Sequence, residues 1–290
     1  MLLVIPTYNA GEKWSQVIES IKIQDLKPLK VLVIDSGSQD ETVSLAKDAG
    51  WMVKEIPKSE FNHGLTRQSA ISECDPDDEF VIFMTQDAIC AESSSLSKLI
   101  KGFDIDPKVA LVYGRQLPHL DATPLAAQAR LFNYPPISQL KTFEDRHRLG
   151  IKTPFCSNSF AAYRLSTLKD IGGLPKTNFG EDMLIAAQLL KNNYFIFYQA
   201  EATVRHSHNY TILEESIRYF EIGKFHANKI EELKAFKGLA KEGLKDLRTK
   251  TTLSKKRMSL VIKIYFRTII NFISYSYGRI YSILLRDVLP

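Results

Sequence analysis

The chain has 290 residues, 44% of them hydrophobic and 24% charged, enough apolar material for one large domain or two small ones, which excludes a disordered protein. A formal net charge of +5 is mild: it admits an anionic ligand or surface and calls for no nucleic acid. Three scattered cysteines, Cys74, Cys90 and Cys156, make neither a disulfide framework nor a CxxC zinc pair, and they fit a reducing compartment.

The opening MLLVIPTYN lacks a basic start, and its apolar run stops early at Pro6 and Asn9, so it does not read as a signal peptide. Leu2 to Pro6 is instead a short strand of the buried kind, as is Lys30 to Asp35. Met52 to Ile56 is a weaker third strand, since it carries Lys54 and Glu55. Lys13 to Gln24 sets Trp14, Val17, Ile18 and Ile21 at helical spacing, and Asp40-Glu41 opens a helix through Ala49 with an acidic first turn. Leu65 to Glu73 reads as helix, Phe80 to Thr85 as strand, Ser93 to Phe103 as helix and Val109 to Tyr113 as strand. Strands separated by helices imply crossover units, and therefore an α/β fold with a mostly parallel, Rossmann-like sheet flanked by helices. Ligands of such sheets bind beyond the carboxyl ends of the strands, here Thr7-Tyr8-Asn9, Asp35-Ser36-Gly37-Ser38 and Gln86-Asp87.

Residues 114–155 are less regular, with Tyr134-Pro135-Pro136 halting any helix and Glu144 to Arg148 dense in charge; they read as an excursion over the binding face. Phe160 to Tyr163 resumes a strand, and Ser166 to Ile171 a short helix that Gly172-Gly173 ends. Glu181-Asp182 precedes an apolar helix, Met183 to Leu190. Tyr194 to Tyr198 is β-prone, and Thr203-Val204 leads into Arg205-His206-Ser207-His208. From Thr211 the pattern is helical and increasingly basic, with a break at Thr249 to Ser254. Over Lys255 to Leu289, Lys263, Arg267 and Asn271 form one polar stripe on a helical, otherwise apolar segment rich in Tyr and Phe, with a basic start. Such a segment could lie in a membrane interface, or pack as a helix pair on the rest of the chain or in the dimer contact of a homo-oligomer. No stretch approaches the ~18 uninterrupted apolar residues of a spanning helix.

No GxxxxGK[ST] is present and no GxGxxG follows the first strand, which argues against a P-loop enzyme and an ordinary dinucleotide dehydrogenase. GxSxG and HExxH are missing too, so serine hydrolase and zinc protease chemistry have no support. Carboxylates remain. Asp35 either forms the turn in Asp-Ser-Gly-Ser or accepts from a base or ribose at the ligand edge. Asp87 either caps the segment after its strand or holds a hard cation that bridges diphosphate oxygens. Glu181-Asp182 opens a helix, where acids are common in any case. His206 and His208, two residues apart on a strand-like segment, share a face and are either ligands or a surface pair.

In order along the chain, VIPTYNAG, VLVIDSGSQDET, FNHGLTRQ, FMTQDA and GED before a helix resemble the inverting nucleotide-sugar glycosyltransferases of family 2, across roughly residues 1–210. The finer pattern of FNHGLTR, TQDA, NYPPIS, CSNSFAAYR, IGGLP, GEDM and HSHNY is similar to bacterial rhamnosyltransferases of surface polysaccharide (O-antigen or rhamnan) synthesis. The resemblance implies a GT-A fold with a helical C-terminal extension, a dTDP-L-rhamnose donor, a lipid-linked saccharide acceptor and a divalent cation, Mg2+ or Mn2+. It implies that Pro6, Thr7, Tyr8 and Asn9 line the nucleotide pocket with Ser36 and Gln86, and that Asp35 binds the uracil or thymine ring or its ribose. Arg67 would lie near the donor phosphates, Asp87 would hold the metal with His206 as a further ligand, and Asp182 would be the base with Glu181 beside it.

Two positions depart from the pattern: Thr85 replaces the first Asp of DxD, and Gln68 stands where rhamnosyltransferases have Asn. The alternatives are a UDP-hexose donor, or a non-catalytic scaffold of a polysaccharide assembly complex. The expected organisation is a catalytic domain over 1–210, a helical segment packed on it over 211–254, and amphipathic C-terminal helices over 255–290. The expected location is cytoplasmic, peripheral on the inner face of the bacterial cytoplasmic membrane.

Overall fold

The structure is a computed structural model that describes residues 1–236, 247–249, 251 and 258–288. The break expected at Thr249 to Ser254 falls mostly outside the described residues, as does the basic cluster Lys255-Lys256-Arg257.

The N-terminal half alternates as the apolar runs predict: β1 Leu2–Thr7, α1 Trp14–Lys22, β2 Lys30–Asp35, α2 Thr42–Asp48, β3 Met52–Glu55, α3 His63–Ser69, β4 Phe80–Met84, β5 Ile89–Cys90 and α4 Ser95–Lys101. There follow β6 Val109–Leu117, α5 Pro124–Asn133, β7 Gln139–Lys141, α6 Arg146–Leu149, β8 Phe160–Arg164, α7 Leu165–Asp170, α8 Glu181–Lys191 and β9 Phe195–Arg205. The chain ends in α9 Ile212–Asn228, α10 Ile230–Leu233 and α11 Met258–Val288. One nine-stranded sheet runs β3-β2-β1-β4-β8-β6-β9-β5, and β7 also pairs with β9.

The expected parallel crossovers are present as β3/β2, β2/β1 and β1/β4, with β6/β9 as a fourth parallel pair. The remaining pairs, β4/β8, β8/β6, β9/β5 and β9/β7, are antiparallel, so the sheet is mixed rather than mostly parallel. The cause is the path of the excursion after β6. The chain leaves at the ligand edge and re-enters at that same edge, so β8 must run back against β4 and β6. The β-prone Tyr194 to Tyr198 and the separate Thr203-Val204 fuse into the single long β9, with a register shift opposite Gly114/Arg115.

Strand alternation splits the core into two layers. Leu2 and Val4 face the side covered by Leu184 to Leu190 of α8, while Leu3 and Ile5 face Trp14, Val17 and Leu96 of α1 and α4. All four β1 side chains are fully buried.

The C-terminal segment is one 31-residue helix, α11, in place of the expected helices. It lies along α9 at backbone contact. A Cβ on Gly223 would sit 2.1 Å from the Tyr275 carbonyl oxygen, and one on Gly278 would sit 2.1 Å from that of Phe220. Arg267 adds an ion pair to Glu215 at 2.7 Å and donates to the Tyr210 carbonyl at 2.7 Å. The opposite face leaves Ile262, Phe266, Ile269, Phe272, Ile273, Ile280 and Leu284 more than half exposed. Among the described residues no helix is long and apolar enough to cross a membrane.

Candidate active site

The carboxyl ends of β1, β2 and β4, the start of α8 and the end of β9 converge on a cleft of about 770 Å³, within the range of small-molecule sites. Of the residues singled out by sequence, Pro6, Thr7, Tyr8, Ser36, Arg67, Gln86, Asp87, Glu181, Asp182 and His206 all line it. Asn9 and Asp35 do not, and what they do instead is clear from their partners. The Asp35 carboxylate accepts from the Thr7 hydroxyl (2.8 Å), the Ser38 hydroxyl (2.5 Å), the Gly37 N–H (2.9 Å) and the Ser38 N–H (2.8 Å). Those four bonds fill its acceptor positions. Asp35 thus forms the turn after β2, with its carboxylate satisfied from within the protein. Asn9, at φ 44°, accepts from the Gln39 N–H through its side chain and ties the loop after β1 to the loop after β2. Gln86 is likewise a tie: its side-chain amide accepts from the Tyr8 N–H (2.7 Å) and donates to the Tyr8 carbonyl (3.2 Å).

Asp87 sits in the turn closed by the Ala88 N–H to Thr85 carbonyl bond, directly after the buried β4. His206 extends β9 by one rung, its N–H bonding the Leu117 carbonyl at 2.8 Å. Its Nε2 lies 3.3 Å from one Asp87 oxygen, and His208 Nδ1 lies 3.6 Å from the other. Ser207, between them, accepts from the His119 N–H. The ligand atoms of the three side chains lie within 4.8 Å of one another. Donor atoms about 2.1 Å from a common ion would stand about 3 to 4 Å apart, so the spacing fits a cation.

The hydrogen bonds fix the tautomer. Arg130 donates to Gln116 Oε1 at 2.5 Å, and since arginine only donates, that atom must be the amide oxygen. The same oxygen faces His206 Nδ1 at 2.9 Å, which must therefore carry the proton. With Nδ1 committed to Gln116, His206 turns its Nε2 to Asp87, and that is the atom that would ligate a cation held there. His208 has been pushed down to about 4, first by burial and then by the neighbouring His206, which keeps it neutral and able to donate a lone pair. Burial works against the Asp87 charge, but a hydrogen bond from the His206 ring and the charge of that ring, with a smaller contribution from His208, outweigh it and hold the carboxyl below its usual range. Thr85, in place of a second carboxylate, lines the cleft with them. His208 completes a set of three side chains that could hold a cation, and the His-x-His spacing was its signal in the sequence.

On the other wall, Gly180 starts α8 in the left-handed region at φ 69°, and a Cβ there would lie 2.6 Å from the Phe225 ring of α9. Any side chain at that position would push α9 off the cleft. Glu181, next in the chain, is spent inward. Its carboxylate pairs with Arg67 Nη1 at 3.0 Å and accepts from Asn158 Nδ2 at 3.1 Å, with both charged side chains buried. Asn158 is itself set by the Tyr163 hydroxyl at 2.6 Å. Its loop is held from below by the buried Lys141, which donates to the Lys152 and Phe155 carbonyls. Asp182 is left as the available acid. It accepts from the Met183 N–H at 2.8 Å and, at a long 3.4 Å, from the Asn158 N–H. Burial, and then the adjacent Glu181 charge, raise its carboxyl to about 7. A carboxylate so tuned takes up a proton readily near neutrality.

The sequence pattern that defines glycosyl transferase family 2 matches residues 2–172. The O-antigen chain rhamnosyltransferase RfbN of Salmonella typhimurium is 45% identical over 280 residues, covering 96% of this chain and 88% of RfbN. The O-antigen chain rhamnosyltransferase WbaN of Salmonella anatum is 41% identical with the same coverage. Among solved structures, the mannosyltransferase PcManGT from Pyrobaculum calidifontis, in complex with GDP-Man and Mn2+, superposes with a TM-score of 0.66 at 16% identity, over 97% of this chain and 86% of that one. S. aureus TarS 1–349 superposes at 0.56 and 15% identity, over 96% and 89%. These two likenesses are of fold alone, the GT-A fold expected from the ordered motifs. With family pattern, close relatives and fold in agreement over most of its length, the chain belongs to glycosyl transferase family 2, and it is a glycosyltransferase.

Proposed function

We propose that the chain transfers L-rhamnose from dTDP-L-rhamnose, with inversion, to a hydroxyl of a lipid-linked saccharide in O-antigen synthesis. The two Salmonella relatives, both O-antigen chain rhamnosyltransferases, support the sugar and the product class. The observation that carries the chemistry is the division of labour at the start of α8: Glu181 is consumed by Arg67, and Asp182 is left facing the cleft with a raised pKa. As the base, Asp182 takes the acceptor hydroxyl proton while that oxygen bonds the anomeric carbon and the bond to the diphosphate oxygen breaks. A single displacement of this kind needs no enzyme nucleophile, and it inverts the anomeric centre. Asp87, His206 and His208 would hold a divalent cation, which supplies charge neutralisation to the leaving diphosphate, worth several kcal/mol. Two imidazoles beside one carboxylate favour Mn2+ over Mg2+, which prefers an all-oxygen shell.

The donor is tested by turnover and hydrolysis across a panel of dTDP-rhamnose and UDP-hexoses, with and without Mn2+ or Mg2+. We expect dTDP-rhamnose to lead and Mn2+ to surpass Mg2+. A clear preference for a UDP-hexose would remove the rhamnosyl assignment and leave the transferase chemistry standing.

The exposed face of α11 supports a peripheral membrane contact, as an acceptor anchored in lipid requires. Replacing Phe266, Ile269 and Phe272 together by Glu is expected to abolish co-flotation with anionic vesicles, and turnover on a detergent-soluble acceptor should persist. Equal flotation of the triple variant would end that reading.

A further inference from the structure

We propose that Arg130 of α5 and Arg218 of α9, rather than Arg67, receive the donor's diphosphate. The inference rests on reading the cleft as a sugar-diphosphate site. Four long cationic side chains line that cleft: Lys58, Arg67, Arg130 and Arg218. Arg67 is already neutralised. Its Nη1 is 3.0 Å from Glu181 and also donates to the His63 carbonyl at 3.0 Å, with a side chain only 3% exposed. Lys58 donates to the Tyr8 hydroxyl at 2.8 Å and stands over that ring, beyond the end of β1.

Arg130 and Arg218 differ from both in charge balance and in place. Neither has a carboxylate partner among the described residues. Each is one residue removed from a histidine of the Asp87 cluster. Arg130 donates to the Gln116 side-chain oxygen, which also accepts from His206 Nδ1–H. Arg218 lies 5.9 Å over the Tyr210 ring, which stacks on His208 at 5.0 Å. The Arg218 guanidinium carbon also lies 5.8 Å from the centre of the Phe179 ring, so its charge sits near two aromatic rings and no carboxylate. The buried Nε of Arg130 has no hydrogen-bond partner, as is also true of Arg67, so the difference between them lies in the Glu181 counter-charge that Arg67 alone has. Two unpaired guanidinium forks, reaching the Asp87 cluster through different neighbours, match an anion with oxygens on two adjacent phosphorus atoms. Sequence reading chose Arg67 because it sits in a motif. Arg130 and Arg218 lie in helices with no motif, and the fold alone brings them to the cluster.

The test measures binding of dTDP, UDP and GDP and of their nucleosides to the full chain in chelator-containing buffer, so that no cation contributes. The proteins are wild type, Arg218→Ala, Arg218→Lys and Arg130→Lys. Arg218 is exposed, so its variants leave the core intact. Wild type should bind one diphosphate well above its nucleoside. Arg218→Ala should lose roughly 10- to 100-fold of that advantage with nucleoside affinity unchanged, and Arg218→Lys and Arg130→Lys should lose less. In turnover the loss should fall on KM for the donor more than on kcat. Variants that keep the wild-type advantage overturn the assignment to these arginines. A wild type that binds no diphosphate better than its nucleoside overturns it as well, by removing the sugar-diphosphate reading beneath it.

Discussion

Asp182→Asn is expected to lower transfer by about 100- to 10,000-fold, the span that general-base catalysis supplies, while donor affinity stays within a few-fold of wild type. The amide keeps the shape and the bond from the Met183 N–H but cannot take a proton. The pH profile separates this from damage to the site. The base works when deprotonated, and its carboxyl is raised to about 7, so wild-type kcat/KM should fall as pH drops through that value. The Asn variant should be low and flat across the same range. Near-normal turnover in it would remove the base assignment. Its neighbour gives the contrast. Glu181→Gln leaves the buried Arg67 without its counter-charge, which is destabilising by about 3–5 kcal/mol when a buried pair is broken. That change should therefore appear chiefly as a lower melting temperature.

Chelation is expected to silence wild-type turnover, and Mn2+ to restore it. Asp87→Ala should be silent with or without the ion, since it removes the one carboxylate of the cluster. Gln116→Leu is the sharper probe. Gln116 touches no ligand atom of the cation, yet it fixes the proton on His206 Nδ1 and so presents the Nε2 lone pair. Losing such a supporting contact typically costs about 10- to 100-fold in metal affinity, so this variant should regain activity at higher Mn2+. A Mn2+-induced rise in melting temperature, present in wild type and missing in Asp87→Ala, reads the same site without turnover. Full activity in excess chelator would remove the cation from the mechanism.

The parallel part of the fold was legible because each of β1, β2 and β4 is a run of apolar residues buried on both faces, closed by polar turn residues. The antiparallel part was not, because the direction of β8 depends on where a long excursion re-enters the sheet, and no local pattern encodes that. β9 read as two pieces because Gln199 and Glu201 interrupt the apolar run, yet the ladder continues past them through a register shift. In the site, motif positions arrived in one cleft, but position did not fix role. Asp35 and Glu181 both proved to be carboxylates satisfied from within the protein. Sequence left Asp35 open between turn and ligand, and its four partners show the turn contacts. His208 was visible from its spacing, whereas Arg130 and Arg218 required the tertiary fold.

The short pairing of β5 with β9 ties Asp87, just before the one, to His206, just after the other. These residues belong to opposite halves of the chain, and β5 reaches the sheet only as an edge strand on β9. Bringing them together closes a long loop, an entropic cost that contacts within one helix or hairpin do not carry. A cation held there would act as a clasp on the finished topology. Chains lacking one side of the cluster could not retain it, so uptake of the ion would report that the two halves of the sheet have met as directly as it serves the reaction.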